Sequence, residues 1–296
     1  MSACDDKIQS IVEGWQKNNE GFCKDQEKLK NKLKEWTRSA DENETDILLR
    51  LFENSHYFSK RKVNNIFLNF YKTLKNKEYS IFTAIESQEI RHNSSHVYLN
   101  EFALVSEVSE YSIIPVFSVL QASNLNYIKQ IVFIDDIIGS GKTVIDYFEI
   151  IKDRLKNKKV YIWVVCITEI AKLEVEKYAN KNRLSITIRA ERIEKKAFEK
   201  GYIFDLDEAE QNKLIIKNLE EKLWNGQQSE YVLGKNDSQC LLSFYNDTPN
   251  NTLSSFWVCN QSWKPIFYRK KKNPPKWFKE KKRDRMKKNY ERKLQK

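Results

Sequence analysis

The chain has 296 residues, 40% of them hydrophobic, which is enough to bury a substantial core in one large domain or two small ones. Its start is polar and acidic, and no apolar run approaches the roughly 18 residues of a membrane helix, so we expect neither a signal peptide nor a membrane span. Five scattered cysteines without a Cys-x-x-Cys pair, and only three histidines, favour a reducing cytoplasm and argue against a structural zinc site.

The formal net charge of +11 is distributed unevenly along the chain. From Arg269 to Lys296 there are fifteen Lys or Arg and three acidic residues, a net charge of +12, so the rest of the chain is close to neutral. We therefore divide the chain into a helical N-terminal extension (1–60), a main domain (61–268) and a basic C-terminal tail (269–296).

The N-terminal part of the chain is predicted to be mostly helical. Apolar residues recur at helical spacing over residues 7–37, which predicts two helices, and similar patterns predict helices over 46–58 and 63–74. No motif for binding or catalysis occurs here. We interpret this part as a helical cap that packs on the sheet or on a partner.

From residue 79 the pattern changes to strands that alternate with helices. Segments rich in β-branched and aromatic residues predict strands over residues 79–85, 112–120, 131–134, 159–167 and 184–189. Helical patterns lie between most of them, and a charged amphipathic helix follows over 207–224. This alternation is typical of an α/β fold with a parallel sheet.

Residues 131–143 carry the sharpest chemical signal. Four apolar residues (131–134) precede Asp135 and Asp136, and a loop with two glycines then leads into a helix that begins near Lys142. A parallel strand is apolar along its buried length and opens to ligands at its carboxyl end. Glycines allow the backbone N–H groups to turn inward, and the helix start adds a positive dipole end. The pattern predicts a strand, two carboxylates and an anion-binding loop.

Two other interpretations of this stretch fit its residues less well. The letters GSGKT suggest a nucleotide-triphosphatase loop, G-x-x-x-x-G-K-[ST], but the place of its first glycine holds Asp136, whose carboxylate would repel a triphosphate. An ordinary strand, turn and helix would explain the glycines. It would not explain two adjacent carboxylates followed by the hydroxyls of Ser140 and Thr143.

The stretch resembles the phosphoribosyl diphosphate (PRPP) motif of type I phosphoribosyltransferases, which has four hydrophobic residues, two acids and a small-residue loop ending in Thr. The resemblance implies that Asp135 and Asp136 are the catalytic carboxylates, which face the ribose hydroxyls directly or through Mg²⁺. The 5-phosphate would lie on the loop formed by Ile138, Gly139, Ser140, Gly141, Lys142 and Thr143. Lys142 departs from the pattern, because this place more often holds a small residue.

Two further parts of a phosphoribosyltransferase site have candidates in the sequence. In that family the loop after the first core strand meets the pyrophosphate, and the polar residues in that loop here are Arg91, Asn93, Ser94 and Ser95. A hood over the base would come from the polar and aromatic stretch near residue 250, where the candidates are Asn250, Asn251 and Trp257. These asparagines either contact a ligand or bond their own backbone, and both interpretations stay open.

A narrower resemblance rests on three segments: the motif IDDIIGSGKT, residues 196–204 and residues 233–267. Together they look like the phosphoribosyltransferase-like domain of bacterial conflict systems, over roughly residues 60–270. That family implies a role in antiphage defence, as a toxic effector that acts on nucleotides or nucleic acid beside a reverse transcriptase, an ATPase or a winged-helix protein. An alternative is a subunit without catalysis that senses PRPP or nucleotides or binds nucleic acid.

The C-terminal tail combines dense positive charge with two aromatic residues after a Pro-Pro break. Such a segment attracts phosphates, and its aromatic rings stack on unpaired bases, so we expect RNA or single-stranded DNA as a partner. The alternative is that the tail is a solvent-exposed basic extension that binds no partner. The predicted nucleic-acid contacts are Lys270, Lys271, Lys272, Lys276, Trp277, Lys281, Lys282, Arg283 and Arg285.

Overall fold

The structure, a computed structural model, describes residues 3–85, 94–114, 125–225 and 229–270, together with residues 276 and 280. The helices in these residues are α1 (Ala3–Asn18), α2 (Gln26–Thr37), α3 (Glu42–Glu53), α4 (Lys60–Thr73), α5 (Ser94–Ser106), α6 (Lys142–Leu155), α7 (Glu169–Lys181) and α8 (Ala209–Leu223). The strands are β1 (His56–Phe58), β2 (Ser80–Ala84), β3 (Gln130–Ile138), β4 (Lys159–Thr168), β5 (Ser185–Glu194) and β6 (Leu242–Phe244). The predicted α/β class with N-terminal helices is confirmed.

The main sheet is parallel and has the spatial order β2-β3-β4-β5. Ile113 forms a parallel bridge with Phe82 on the side of β2 that faces away from β3. From β2 the chain therefore runs first to this outer edge and then returns to form β3. In open α/β sheets, ligands bind at the carboxyl ends of the strands that flank such a reversal.

Strand β3 is buried on both faces, as its continuous apolar sequence predicts. Ile131 and Phe133 belong to the hydrophobic cluster that packs under α6 and α7. Val132 and Ile134 belong to the cluster on the opposite face, with α4 and α5. Because helices pack against both faces of this strand, the residues that follow Ile134 are held at a fixed position at the carboxyl edge of the sheet.

A separate hydrophobic core joins α1, α2 and α3 to α8 and to residues 233–267. Trp36 and Trp263 both donate their indole N–H groups to the carbonyl oxygen of Ser255, at 2.9 and 2.8 Å. The N-terminal helices therefore pack against the C-terminal part of the chain. The predicted division of the chain at residue 61 stays a prediction.

A buried carboxylate on α8 organises this C-terminal part. Glu220 is fully buried and accepts hydrogen bonds from the N–H of Leu233 at 2.6 Å, and from the N–H and hydroxyl of Ser255 at 2.7 and 2.8 Å. Burial raises the pKa of Glu220, while these bonds act in the opposite direction by stabilising the ionised form. One side chain thus fixes both ends of the segment from residue 233 to residue 255.

The helix predicted over residues 46–58 ends earlier, because α3 stops at Glu53 and residues 56–58 form β1. This short strand pairs in parallel with β6. Its backbone is held by partners far away in the sequence: the N–H of His56 donates to Leu241 O at 2.8 Å, and the N–H of Tyr57 donates to Asn19 Oδ1 at 2.6 Å. A local sequence pattern cannot predict pairing with residues this far away in the chain.

Two predicted strands also differ from the observed elements. The strand predicted over 112–120 is described only up to residue 114, where a 3₁₀ turn (Glu110–Ser112) precedes the bridge at Ile113, and residues 115–120 lie outside the described part. The strand predicted over 184–189 continues to Glu194, since β5 follows β4 along its whole length. None of the helices within the described ranges has the length and apolarity needed to cross a membrane.

Candidate functional site

A cleft of about 480 Å³ lies at the carboxyl end of β3, beside the point where the winding of the sheet reverses. One side is formed by Asp135 and Asp136, the loop from Gly139 to Gly141 and the start of α5. The other side is formed by residues from 235 to 270. The structure therefore brings the predicted acidic pair and the predicted phosphate loop together in one cleft.

The acidic pair is nearly buried, with Asp135 9% exposed and Asp136 8% exposed. Asp135 Oδ1 accepts the N–H of Asp136 at 2.9 Å, and Asp136 Oδ1 accepts the N–H of Ile137 at 2.9 Å. Burial and then the charge of Asp136 raise the pKa of Asp135 well above its usual value, and burial also raises the pKa of Asp136. The two carboxyl groups lie close enough to interact directly, so each makes it harder for the other to carry a charge.

Two serines at the start of α5 hold this pair in place. Ser94 Oγ donates to Asp136 Oδ1 at 2.8 Å, and the Ser95 hydroxyl is hydrogen-bonded to Asp135. Both serines line the cleft, at the amino end of a helix. The sequence placed them in a pyrophosphate loop, and the structure places their hydroxyls on the carboxylates. The other two members of that loop, Arg91 and Asn93, lie outside the described residues.

The phosphate loop turns through Gly141, which precedes α6 and has a φ of +74°. At that φ a glycine avoids the strain that a side chain would bring. The loop is tied to the next strand by Thr168, whose hydroxyl donates to the carbonyl oxygen of Gly139 at 2.5 Å. Helix α6 starts at Lys142, so its first N–H groups and its positive dipole end lie next to the cleft.

Lys142 is in the loop, but its side chain points away from the cleft. The side chain is 76% exposed, and its ammonium group forms an ion pair with Asp146 at 2.9 Å on the next turn of α6. Ser140 and Thr143 both line the cleft, and Ser140 Oγ also accepts the N–H of Lys142 at 3.4 Å. Hydroxyl and backbone groups, rather than the ammonium group of Lys142, thus line the cleft along this loop.

The predicted hood residues divide into two groups. Asn250 and Asn251 line the cleft, and Asn251 lies so close to the loop that a Cβ at Gly139 would be 2.1 Å from its Nδ2. Trp257 is buried instead, and its indole N–H donates to Thr252 O at 2.9 Å. Its ring supports the guanidinium of Arg269, which lies 4.6 Å from the ring centroid.

Several residues that line the cleft were missed by the sequence analysis or assigned another role. Lys270 was assigned to the nucleic-acid-binding tail, yet it lines the cleft together with Arg269. Arg269 is the first of four consecutive basic residues, and the sequence gives no sign that its role differs from that of the other three. The residues that carried no assignment are Val97, Ile137, Val144, Lys235, Asn236, Asn246, Asp247, Thr248, Pro249 and Arg269.

The donor set suits a divalent cation that is shared with a phosphate ligand. Mg²⁺ is bound in proteins by one or two carboxylates, with phosphate or water oxygens completing its shell, and Asp135 with Asp136 supplies that number. Within the described residues no group of three or more His, Cys, Asp or Glu side chains forms a metal site. Any ion at this pair would therefore depend on the ligand for further contacts.

Of the predicted tail contacts, only two fall within the described part of the chain. Lys270 lies at the cleft, and Lys276 is exposed. The remaining seven, Lys271, Lys272, Trp277, Lys281, Lys282, Arg283 and Arg285, lie outside the described residues.

We predict that Asp135→Asn stabilises the ligand-free protein at neutral pH. The raised pKa means that folded wild type binds more protons than unfolded chain between about pH 4 and the folded pKa, so stability falls as pH rises through that window. The amide removes this penalty because it stays neutral at every pH, and its oxygen can still accept the N–H of Asp136. At pH 7.5 the melting temperature should rise by about 2–4 °C for each kcal/mol gained, and the gain should vanish near pH 4.

Thermal melts from pH 4 to 8 check this prediction, with Asp153→Asn as the control. Asp153 is 77% exposed and forms an ion pair with Lys156, so its removal changes the free energy of unfolding little. A melting temperature of Asp135→Asn at or below that of wild type across the whole pH range would contradict the prediction.

Comparison with known proteins identifies a family whose model matches most of the chain. The family model PRTase-CE matches residues 33–269, and no curated protein matches the chain. Among solved structures, the AQ2163 protein from Aquifex aeolicus is similar over 61% of this chain and 92% of its own, at 12% identity and a TM-score of 0.32, which is too low to bear on fold or function.

The family match covers every part of the cleft except Lys270. It begins at residue 33 within α2, so part of the N-terminal helices belongs to it, and it ends at Arg269. The expected phosphoribosyltransferase-like core is thereby confirmed. The chain belongs to the PRTase-CE family of phosphoribosyltransferase-like proteins.

Proposed function

We propose that the cleft binds PRPP or a related ribose 5-phosphate, and that the protein transfers or cleaves the ribosyl group at its anomeric carbon. The observation that carries this proposal is the buried Asp135–Asp136 pair, which lies beside the phosphate loop in one cleft. In a ribose 5-phosphate, the two ribose hydroxyls can donate hydrogen bonds to the paired carboxylates. Its phosphate group can accept hydrogen bonds from the N–H and hydroxyl groups of the loop. The family supports a phosphoribosyltransferase-type fold for this chemistry.

In the proposed reaction the bond between C1 of the ribose and the pyrophosphate oxygen breaks, and its electron pair leaves with pyrophosphate. A nitrogen or oxygen nucleophile of a nucleotide, a nucleic acid or water forms the new bond at C1 and releases its proton to solvent. The carboxylates orient the ribose and stabilise the positive charge that develops on it. When bound, Mg²⁺ neutralises charge on the pyrophosphate, and Asp135 with Asp136 would hold it.

We predict that PRPP binds wild type in the presence of Mg²⁺ and that Asp136→Asn binds it about 10–100-fold more weakly, since one charged hydrogen bond is lost. Isothermal titration calorimetry with and without Mg²⁺ measures this affinity. Asp153→Asn, which removes an exposed carboxylate on α6, should match wild type. The proposal fails if wild type binds neither PRPP nor ribose 5-phosphate. Binding without turnover of any nucleotide or base would favour a sensor over an enzyme.

We also propose that the protein acts as an effector of antiphage defence. Support comes from the resemblance to the phosphoribosyltransferase-like domains of bacterial conflict systems, which occur beside reverse transcriptases, ATPases or winged-helix proteins. A bacterial strain that expresses the chain from its own locus should reduce phage plaque numbers by at least about tenfold. Asp136→Asn should abolish this protection and Asp153→Asn should keep it. Equal protection by wild type and Asp136→Asn would show that defence does not depend on this cleft.

A third proposal assigns the tail to single-stranded nucleic acid, and its basis is the charge and aromatic content of the tail. Because Arg269 and Lys270 line the cleft, the matching deletion removes only residues 271–296. Each phosphate contact to a single strand contributes about −0.7 to the slope of log K against log salt, so loss of about five contacts should flatten the slope by about 3.5.

Fluorescence anisotropy with a single-stranded RNA at several salt concentrations measures this slope. The control is Trp277→Ala, which removes a stacking ring and keeps every charge, so it should weaken binding without changing the slope. An unchanged slope after deletion of 271–296 would remove the tail from nucleic-acid binding.

A further inference from the structure

The cleft also contains positively charged side chains, which belong neither to the acidic pair nor to the phosphate loop. All the cationic side chains that line the cleft, among the described residues, lie on the C-terminal side: Lys235, Arg269 and Lys270, called here the cationic wall. We propose that the cationic wall binds the pyrophosphate group of PRPP and thereby selects PRPP over ribose 5-phosphate. This inference rests on the proposed function and assigns a role to residues outside the sequence motif.

Arg269 is held rigidly before any ligand arrives. Its guanidinium packs 4.6 Å from the centroid of the Trp257 ring and donates from Nη1 to the carbonyl oxygen of Thr248. Trp257 is itself fixed between two rings, with centroids 5.8 Å away at Trp224 and 5.7 Å away at Tyr231. A guanidinium has five N–H donors, so a fork that is already oriented can bind two phosphate oxygens with little loss of side-chain entropy.

The charge of Arg269 is only partly balanced by nearby acid. Asp247 attracts it, but that carboxylate also accepts the backbone N–H groups of Thr248 at 3.0 Å and Lys270 at 2.8 Å. Burial lowers the pKa of Arg269 from its ordinary value, although an arginine stays protonated at any physiological pH. A partly buried cation of this kind gains most from a second anion, and a phosphate group supplies one.

Lys235 and Lys270 extend the wall on either side of Arg269. The backbone N–H of Lys235 donates to Asn250 O at 2.7 Å, and the preceding Gly234 turns with a φ of +76°. Glu220 holds this turn from inside the core through the N–H of Leu233. Within the described ranges neither lysine forms an ion pair, so both ammonium groups are available to a polyphosphate.

The C-terminal side of the cleft, which includes the cationic wall, contacts both of the other subsites through its asparagines. Asn251 touches Gly139 in the phosphate loop, as the absence of room for a Cβ there shows. Asn246 accepts the hydroxyl of Tyr98 at 2.9 Å, and the charge of Asp136 helps to raise the pKa of Tyr98. A ribose that spans the loop and the acidic pair would therefore lie in the same cleft as the cationic wall, where a pyrophosphate on its anomeric carbon could contact these cations.

Other residues are poorly suited to hold pyrophosphate in the described part of the chain. Ser94 and Ser95 bond to the carboxylates, and Lys142 pairs with Asp146 on the outside of α6. The two serines were predicted to meet pyrophosphate from the first loop of the domain. The wall would meet the same ligand group from the C-terminal end, while Arg91 and Asn93 of the first loop lie outside the described residues.

The test compares PRPP with ribose 5-phosphate, which lacks the pyrophosphate, by calorimetry in the same Mg²⁺ buffer. The variants are Arg269→Gln, Lys235→Gln and Lys270→Gln. The matched control is Lys177→Gln, an exposed lysine on α7 that pairs with Glu174. Each wall variant should weaken PRPP binding, Arg269→Gln by about 10–100-fold, and leave ribose 5-phosphate affinity within about twofold. Lys177→Gln should change neither affinity.

The outcomes separate this inference from the proposed function. If wild type binds both ligands with equal affinity, or if the wall variants weaken both equally, the cationic wall does not select pyrophosphate, and the proposed ribose phosphate site still stands. If wild type binds neither ligand, the proposed function itself fails. Lys235→Gln and Lys270→Gln keep the test valid should Arg269→Gln lower the melting temperature, since among the described cations it is Arg269 that packs over the Trp257 ring.

Discussion

Two adjacent carboxylates, nearly buried at the end of a parallel strand, are the constraint around which the cleft is organised. Two like charges in such a place are costly unless hydrogen bonds, a proton or a cation stabilise them. The fold supplies Ser94 and Ser95 from α5 and backbone N–H groups from β3 itself. It also keeps the pair open to a cleft, where a ligand can replace these contacts. The pair is thus held by the fold and remains accessible from the cleft.

The C-terminal side of the cleft depends on a different core. Residues from 233 to 255 are held at both ends by Glu220, and the aromatic core behind them includes α1, α2 and α3. The N-terminal helices α1, α2 and α3 therefore pack on this C-terminal segment and complete the support for residues that line the cleft. This arrangement agrees with a family match that begins within α2.

The parts of the site that follow local rules were predictable from the sequence. Asp135, Asp136 and the loop glycines lie in a strand, a turn and a helix that are contiguous in the chain, so pattern and position agree. Arg269 was not predictable, since its place in the cleft depends on a contact with Trp257 and on the turn at Thr248. Likewise β1 depends on pairing with β6, about 185 residues later, which no local periodicity records.

Asn251 occupies a position that links the two sides of the cleft. A Cβ at Gly139 would lie 2.1 Å from its Nδ2, and a Cβ at Gly234 would lie 2.2 Å from its carbonyl oxygen. One glycine belongs to the phosphate loop and the other to the turn before Lys235. Asn251 is thus packed against the backbone on both sides of the cleft, so at this point the two sides cannot approach each other without displacing it.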